Sequence, residues 1–328
     1  MKITTRRSLS LASVAALAII LAMGEGVGNT ASAQGGCQSL MVGFDRSVEH
    51  RDLVAIIAAA DRVRDSFECP ASERARTVRR TALAHLVDAQ RLASTGQSAA
   101  RQLAILEAGT RYDRPWQLLA AIGDVKQRVT GPDGQVDYSA ASRAYQEALN
   151  QINDEISTPT PPPRHEIERL RRLADQTRSL SPRFVSGEVL HTRNTRGVEV
   201  EAVTVPVQFV FDSDQMTDLG RRYAEETMRF LAQQNRPRIR LAGHTDPKGS
   251  DEYNDRLSSR RAAAMRNYLV QNGYPAEAIE VKGLGKRAPL LIENEASYSV
   301  EQIHQMRRRV EVCFKDASAG ANRSESCK

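Results

Sequence analysis

An all-α helical array followed by an α+β layered domain is what the sequence predicts, and three observations predict it. Between about Asp45 and Glu155, apolar residues recur at three-and-four spacing, with no strand-like alternation. The stretch Thr158-Pro159-Thr160-Pro161-Pro162-Pro163 cannot continue a helix, because proline lacks the amide hydrogen and its ring clashes with the preceding turn. Beyond Val198, strands alternate with helices, the pattern of a sheet layered with helices. At 328 residues, 41% hydrophobic and 26% charged, the chain is long enough for both domains.

Residues 1–33 read as a secretory signal and are set aside from the fold. Lys2, Arg6 and Arg7 make a basic start, Leu9 to Met23 an apolar run and Ala31-Ser32-Ala33 a cleavage site, so the mature chain begins at Gln34 in the cell envelope. The run is shorter than the roughly 20 apolar residues of a spanning helix. No integral membrane span is expected in the mature chain. An uncleaved anchor is the alternative, and Thr5-Arg6-Arg7-Ser8-Leu9 leaves a twin-arginine route open beside the general one. Cleavage leaves 43 basic and 39 acidic residues, a net +4 spread along helices. That is no nucleic-acid footprint, which gathers basic residues with interleaved aromatics.

Four cysteines in an exported chain meet an oxidising space where pairs tend to close. Neither spacing is a CxxC signature. Of three connectivities the two local ones, Cys37 with Cys69 and Cys313 with Cys327, are favoured. Free buried thiols are the alternative, as is a lipid on Cys37.

Residues 34–157 form the helical domain. Its first apolar series is Leu53, Ile56, Ile57, Ala60, Val63 and Phe67, and its second Leu83, Leu86, Val87 and Leu92. Breaks at Cys69-Pro70, Ser94-Thr95-Gly96, Asp113-Arg114-Pro115 and Gly131-Pro132-Asp133-Gly134 cut it into short helices of an antiparallel array. Pro115-Trp116, Leu119, Gly123, Ala141, Tyr145 and Ala148 resemble one tetratricopeptide repeat lengthened at the Gly131 turn, and a generic helical bundle is the other reading. Residues 158–184 are a proline-rich spacer and a charged helix with Ile167, Leu170 and Leu173 on one side. Residues 185–315 follow as the α+β domain, and 316–328 as a tail. Val198, Val200, Ala202, Val203 and Val205 announce strands. Val207–Phe211 reads as a strand, 218–234 as a helix, 238–242 as a strand and 250–271 as a long helix, with strands at 279–281 and 309–314.

The C-terminal segment carries Gly243-His244-Thr245-Asp246, Tyr253-Asn254, Leu257-Ser258-Ser259-Arg260-Arg261-Ala262, Gly283-Leu284-Gly285 ending at Pro289, and Arg308-Arg309-Val310-Glu311. Five motifs in register over about residues 203 to 315 resemble the OmpA-like C-terminal domain, a peptidoglycan-binding module. The resemblance implies a βαβαββ fold, peptidoglycan as partner, and a location in the periplasm or at the outer membrane.

The diaminopimelate of a cell-wall stem peptide presents an ammonium and a carboxylate at one stereocentre. A carboxylate can receive the first, and a guanidinium can hold the second through two parallel hydrogen bonds that lysine cannot match. Asp246 and Arg261 are the candidates, and the resemblance gives them those two roles. Leu257 and Arg261, four apart, share one helical face, with Asn254 close to it. By resemblance Thr245, Asn254, Leu257 and Arg308 line the pocket and Asp212 sits at its rim. Gly243 and Gly249 would let ligand and backbone approach closely. Arg307 replaces the family's usual Asn or Asp and would add positive charge near the cleft, while Leu290 to Met306 lacks clear family features.

The expected function is therefore non-enzymatic: peptidoglycan is gripped through the C-terminal domain while the helical region meets unidentified envelope proteins. A cell-wall enzyme is the alternative, but the sequence has no Gly-x-Ser-x-Gly and no cysteine with a local base. His244-x-Asp246 lacks a third metal ligand at convincing spacing, and no cofactor or metal is expected. An outer-membrane barrel with this domain attached would need at least eight alternating segments, and residues 45 to 155 are helical instead.

Overall fold

Pro70, Ser98 and Pro115 start helices at or just after breaks in the sequence, and Asp52 starts another where no break was read. The computed structural model describes residues 34–185, 194–199, 202–210, 212–315 and 327. Residues 1–33, read above as a signal, lie outside the described residues, as do 186–193, Val200, Phe211 and most of the tail. Two compact units are formed, one up to Val129 and one from Thr130 onward.

The first unit is helical: α1 Gln34–His50, α2 Leu53–Asp65, α3 Ala71–Ser94, α4 Ala99–Gly109 and α5 Trp116–Lys126. The Asp52 carboxylate accepts from the amides of Val54 and Ala55, satisfying donors that a helix start leaves orphaned. Each helix packs on the next in sequence, as in an antiparallel array. Phe44, Ile56, Ala59, Ala60 and Val63 form the core around a closed Cys37–Cys69 bridge. With its sulfur in that bridge, Cys37 has no thiol left to carry a lipid. Phe67 departs from the apolar series. α2 ends at Asp65, before its period reaches Phe67, and the ring is 98% exposed.

The second unit starts with α6 Tyr138–Asn153 and α7 Arg164–Leu180, which pack closely on each other. Ala141, Tyr145, Ala148 and Ile152 of α6 are buried, as are Ile167, Leu170 and Leu173 of α7, so the predicted apolar side of α7 is its core face. Here the Ser142 hydroxyl donates to the Ala174 carbonyl at 3.1 Å. The proline stretch joins these two helices inside one unit, and the boundary between units falls ahead of it, at Val129 and Thr130. That boundary also divides the tetratricopeptide-like segment from Pro115 to Ala148.

A two-stranded ribbon, β1 Asn194–Thr195 and β2 Val198–Glu199, precedes the main sheet. The sheet contains β3 Ala202–Val205, β4 Ile239–Gly243, β5 Ile279–Gly283 and β6 Val310–Phe314, in the order β3-β6-β4-β5. β6 runs antiparallel to β3 and β4, and β4 parallel to β5. The crossovers are α8 Asp218–Gln233, α9 Asp251–Gln271 and a short α10 Val300–Arg307. The α+β domain is thus formed, with α10 inserted before the last strand of the expected order. Val205, Ile239, Leu241, Val310 and Val312 from the sheet meet Tyr223, Phe230, Met265 and Leu269 from the helices in its core. Cys313 and Cys327 close the second local bridge.

The strand expected at 207–211 is displaced. Pro206 has no amide hydrogen for a ladder, so β3 ends at Val205 and the chain turns; Phe209 keeps an isolated bridge to Met216. β3 is an edge strand, and its outward Thr204 carbonyl accepts from Arg178 of α7 at 2.9 Å, which blunts that edge.

Candidate functional site

Strand register gathers the motif residues. Val205 and Gly243 both pair with Val310, and Gly243 pairs with Gly283. The C-terminal ends of β3, β4 and β5 and the N-terminal end of β6 therefore share one sheet edge. Asp212 lies beyond β3, Thr245 and Asp246 beyond β4, Gly285 beyond β5 and Arg308 before β6, with the first half of α9 beside them.

α9 comes close because two strand ends lack side chains. A β-carbon on Gly243 would lie 2.2 Å from the Ser258 carbonyl oxygen, and one on Gly283 would lie 2.0 Å from Ser259 Oγ. Gly243 thus admits α9 and not a ligand, a correction to the sequence reading. The Asp246 loop is latched to the first turn of α9 by Asn254, whose buried amide donates to the carbonyls of Lys248 at 2.8 Å and Ser250 at 3.0 Å. Thr245 donates its backbone amide to the Gly285 carbonyl at 3.0 Å, and its hydroxyl is buried without a partner among the described residues. Leu257 is buried on the same helix.

Asp246 is turned toward Arg308. Its Oδ2 accepts from Arg308 Nη1 at 2.8 Å, and its Oδ1 from the Lys248 amide at 3.0 Å. Burial opposes its ionisation, but the Arg308 hydrogen bond and charge, together with the Lys248 amide, outweigh that and hold the carboxyl below its ordinary value. Arg308 also donates to Glu301 of α10 at 3.0 Å, and Glu301 lies 3.7 Å from Lys248. Acids and bases therefore alternate along the rim: Asp246, Arg308, Glu301, Lys248.

Arg261 stands 7% exposed on α9. Its guanidinium carbon lies 5.1 Å from the centre of the Phe209 ring, and its Nε donates to the Ser213 carbonyl at 3.0 Å. Both terminal nitrogens lack a hydrogen bond among the described residues. Desolvation lowers its pKa, while Tyr253 and Asp246 favour its charge and Arg308 opposes it. Asp246 and Arg261 thus act on each other through space without an ion pair between them. Asp212, in a left-handed backbone conformation, accepts a hydrogen bond from the Tyr253 hydroxyl at the exposed rim.

All seven sequence-derived residues lie at this sheet edge, although Asn254 serves the loop more than the opening. Arg307, expected to add charge to the cleft, instead donates to Glu295 at 3.1 Å, since α10 carries it toward the 295–297 turn. Sequence reasoning missed Phe209, the Ser213 carbonyl, Lys248 and Glu301. One signal was available: Ser299 and Gln302 spell a capping box, and Glu301 and the C-cap Arg308, seven positions apart, fall on one side of the helix it starts. His244 and Asp246 diverge, with His244 1% exposed beside Arg309 and Glu311.

A model described as OmpA family matches residues 208–301. Over 113 residues the chain is 32% identical to outer membrane porin F of Pseudomonas fluorescens, covering 34% of this chain and 33% of that protein. The peptidoglycan-associated lipoprotein of Rhizobium meliloti is 34% identical over 97 residues, covering 29% of this chain and 55% of that protein. Among solved structures, the peptidoglycan-associated lipoprotein from Burkholderia pseudomallei is 28% identical with a TM-score of 0.29, covering 38% of this chain and 98% of that one. The chain spans between a third and about half of the length of these two curated relatives. The matched segment contains the Asp246 loop and all of α9, and residues 208–301 are an OmpA-like domain.

Proposed function

We propose that this chain is a non-enzymatic peptidoglycan-binding protein of the cell envelope, which grips the diaminopimelate of the stem peptide between Asp246 and Arg261. One observation carries the reading. Arg261 is 7% exposed with its Nε spent on the Ser213 carbonyl, while both terminal nitrogens make no hydrogen bond among the described residues and so stay available to a ligand's carboxylate. Two parallel N–H groups match the two oxygens of a carboxylate. The ligand's ammonium then falls to Asp246, which is ionised and retains lone pairs beyond those taken by Arg308 and Lys248. The similarity to a peptidoglycan-associated lipoprotein supports peptidoglycan as the partner. In this reading the helical first unit faces protein partners.

Asp246→Ala and Arg261→Ala should each weaken sedimentation with purified sacculi by about tenfold to a hundredfold, the loss expected of one charge-assisted hydrogen-bonding partner. Arg261→Lys should fall between, because it keeps the charge and loses the fork. Native-strength binding by both alanine variants, with circular dichroism unchanged, would reject the assignment.

A further inference from the structure

α10 has eight residues, and a helix that short does not persist on its own. It nevertheless delivers two rim groups, Glu301 from its first turn and Arg308 from its C-terminal cap, where the Arg308 amide donates to the His304 carbonyl at 3.1 Å. What fixes α10 is the pair α6 and α7. The Gln302 carbonyl group closes the capping box on Ser299, and its amide nitrogen donates to the Tyr138 hydroxyl at 2.8 Å. Gln305 donates to the Ser179 carbonyl at 2.8 Å, and Arg172 reaches Glu293 at 2.7 Å. Leu180, Ile292 and Met306 close into a small apolar cluster beneath these bonds. Each end of α10 is thereby tied to the helices that flank the proline stretch, and Arg308 leaves its C-terminus directly onto Asp246.

We infer that α6 and α7 are positioning elements of the ligand site: through α10 they set where Arg308 stands relative to Asp246, so the binding module reaches back to Thr130. The inference rests on the peptidoglycan-binding reading for its ligand, but its mechanical claim can be measured apart from binding. Arg308 acts here by holding the carboxylate of Asp246 in one orientation while leaving lone pairs for an incoming ammonium. Tyr138 and the Ser179 carbonyl act through α10 itself, and Arg172 through Glu293 in the segment that leads into it.

The test is the double variant Tyr138→Phe with Arg172→Met in the full chain, both sites being remote from the proposed ligand contacts. Two quantities are read: sedimentation with sacculi, and hydrogen exchange resolved over 239–243, 251–271 and 300–309. Faster exchange confined to 300–309, with binding weakened by about fivefold, is the expected result, in keeping with the loss of a hydrogen bond and a half-exposed ion pair. Unchanged exchange in 300–309 overturns the inference whether or not the unaltered chain binds. Native-strength binding despite a loosened α10 overturns it too, as does faster exchange spread evenly over all three segments. Failure of the unaltered chain to sediment would instead sink the peptidoglycan reading. If the double variant does not fold, Tyr138→Phe alone is judged by the same outcomes.

Discussion

A buried charge or imidazole is a statement about which protonation state the fold requires, and the second residue of the Gly-His-Thr-Asp motif makes one. Burial, with the Arg309 charge beside it, pushes His244 down to about 4, against the opposing pull of Glu311 and a hydrogen bond to the Ala288 carbonyl. The ring is therefore neutral at pH 7. Its 3.8 Å approach to Glu311 is then a polar contact and not an ion pair, and Glu311 is held instead by Arg309 at 2.7 Å. An unfolded chain takes up this proton near its ordinary value of 6.5, whereas the folded one refuses it until about 4. Between those values the unfolded state holds more protons, so stability falls as pH falls through that window. His244 should contribute up to about 3 kcal/mol to that loss. Urea unfolding at several pH values checks it: His244→Asn should flatten the curve between pH 6.5 and 4, and an equal slope in both proteins would reject a neutral histidine. Sequence spacing gave His244 a place in a motif, but it could not separate a buried neutral ring from a rim group. That distinction depends on Arg309 and Glu311, which arrive from the far end of the domain.

Elements with strong local signals were legible, and those fixed by distant partners were not. Ser250 before Asp251 and Thr217 before Asp218 cap α9 and α8 through their own hydroxyls, so both helices announce themselves in the sequence. The boundary of β3 is a different case. Val207 and Phe209 carry strand propensity, but Pro206 cuts the ladder and the register with β6 selects Ala202–Val205. α10 escaped notice because its apolar residues, Ile303 and Met306, serve a cluster completed by Leu180 and Ile292, so no periodic stripe stands out within eight residues. Packing of α9 on β4 gives this scale its prediction. Gly243→Ala places a methyl 2.2 Å from the Ser258 carbonyl and 3.3 Å from Ala262 Cβ, which moves α9 away from the sheet. A destabilisation of about 1 to 3 kcal/mol is expected from such overpacking. Arg261 rides on the same helix, so sedimentation with sacculi should weaken as well. Wild-type stability in the denaturant midpoint would show that the close approach is not required.

At the scale of the whole molecule, two cores are built by different means. The second unit buries aromatic and β-branched side chains between a four-stranded sheet and its helices, including Tyr223, Phe230, Val310 and Phe314. Alanines are prominent in the first unit's main cluster, with Ala59, Ala60 and Ala84 buried beside Phe44 and Ile56. Small side chains remove little apolar area from water, roughly 25 cal/mol per Å². The Cys37–Cys69 bridge offsets this, tying α1 to the residue just ahead of the Pro70 cap of α3, 32 positions away in sequence. Constraining a loop of that length contributes about 3 to 4 kcal/mol in the chain-entropy account. The cysteine count and the exported reading made both bridges legible, but their unequal importance follows from the composition of the two cores. The replacement Cys37→Ser with Cys69→Ser should therefore lower the denaturant midpoint of the first unit strongly, read by hydrogen exchange in 53–65 and 71–94. Every proposed ligand contact lies beyond Thr130, in the unit that keeps Cys313–Cys327. Sedimentation of this double variant with sacculi at a temperature where the second unit stays folded should match the native chain within about twofold, a difference of roughly 0.4 kcal/mol. Loss of binding on removing the first bridge alone would place the helical array in the wall contact and end the division of labour between the two units.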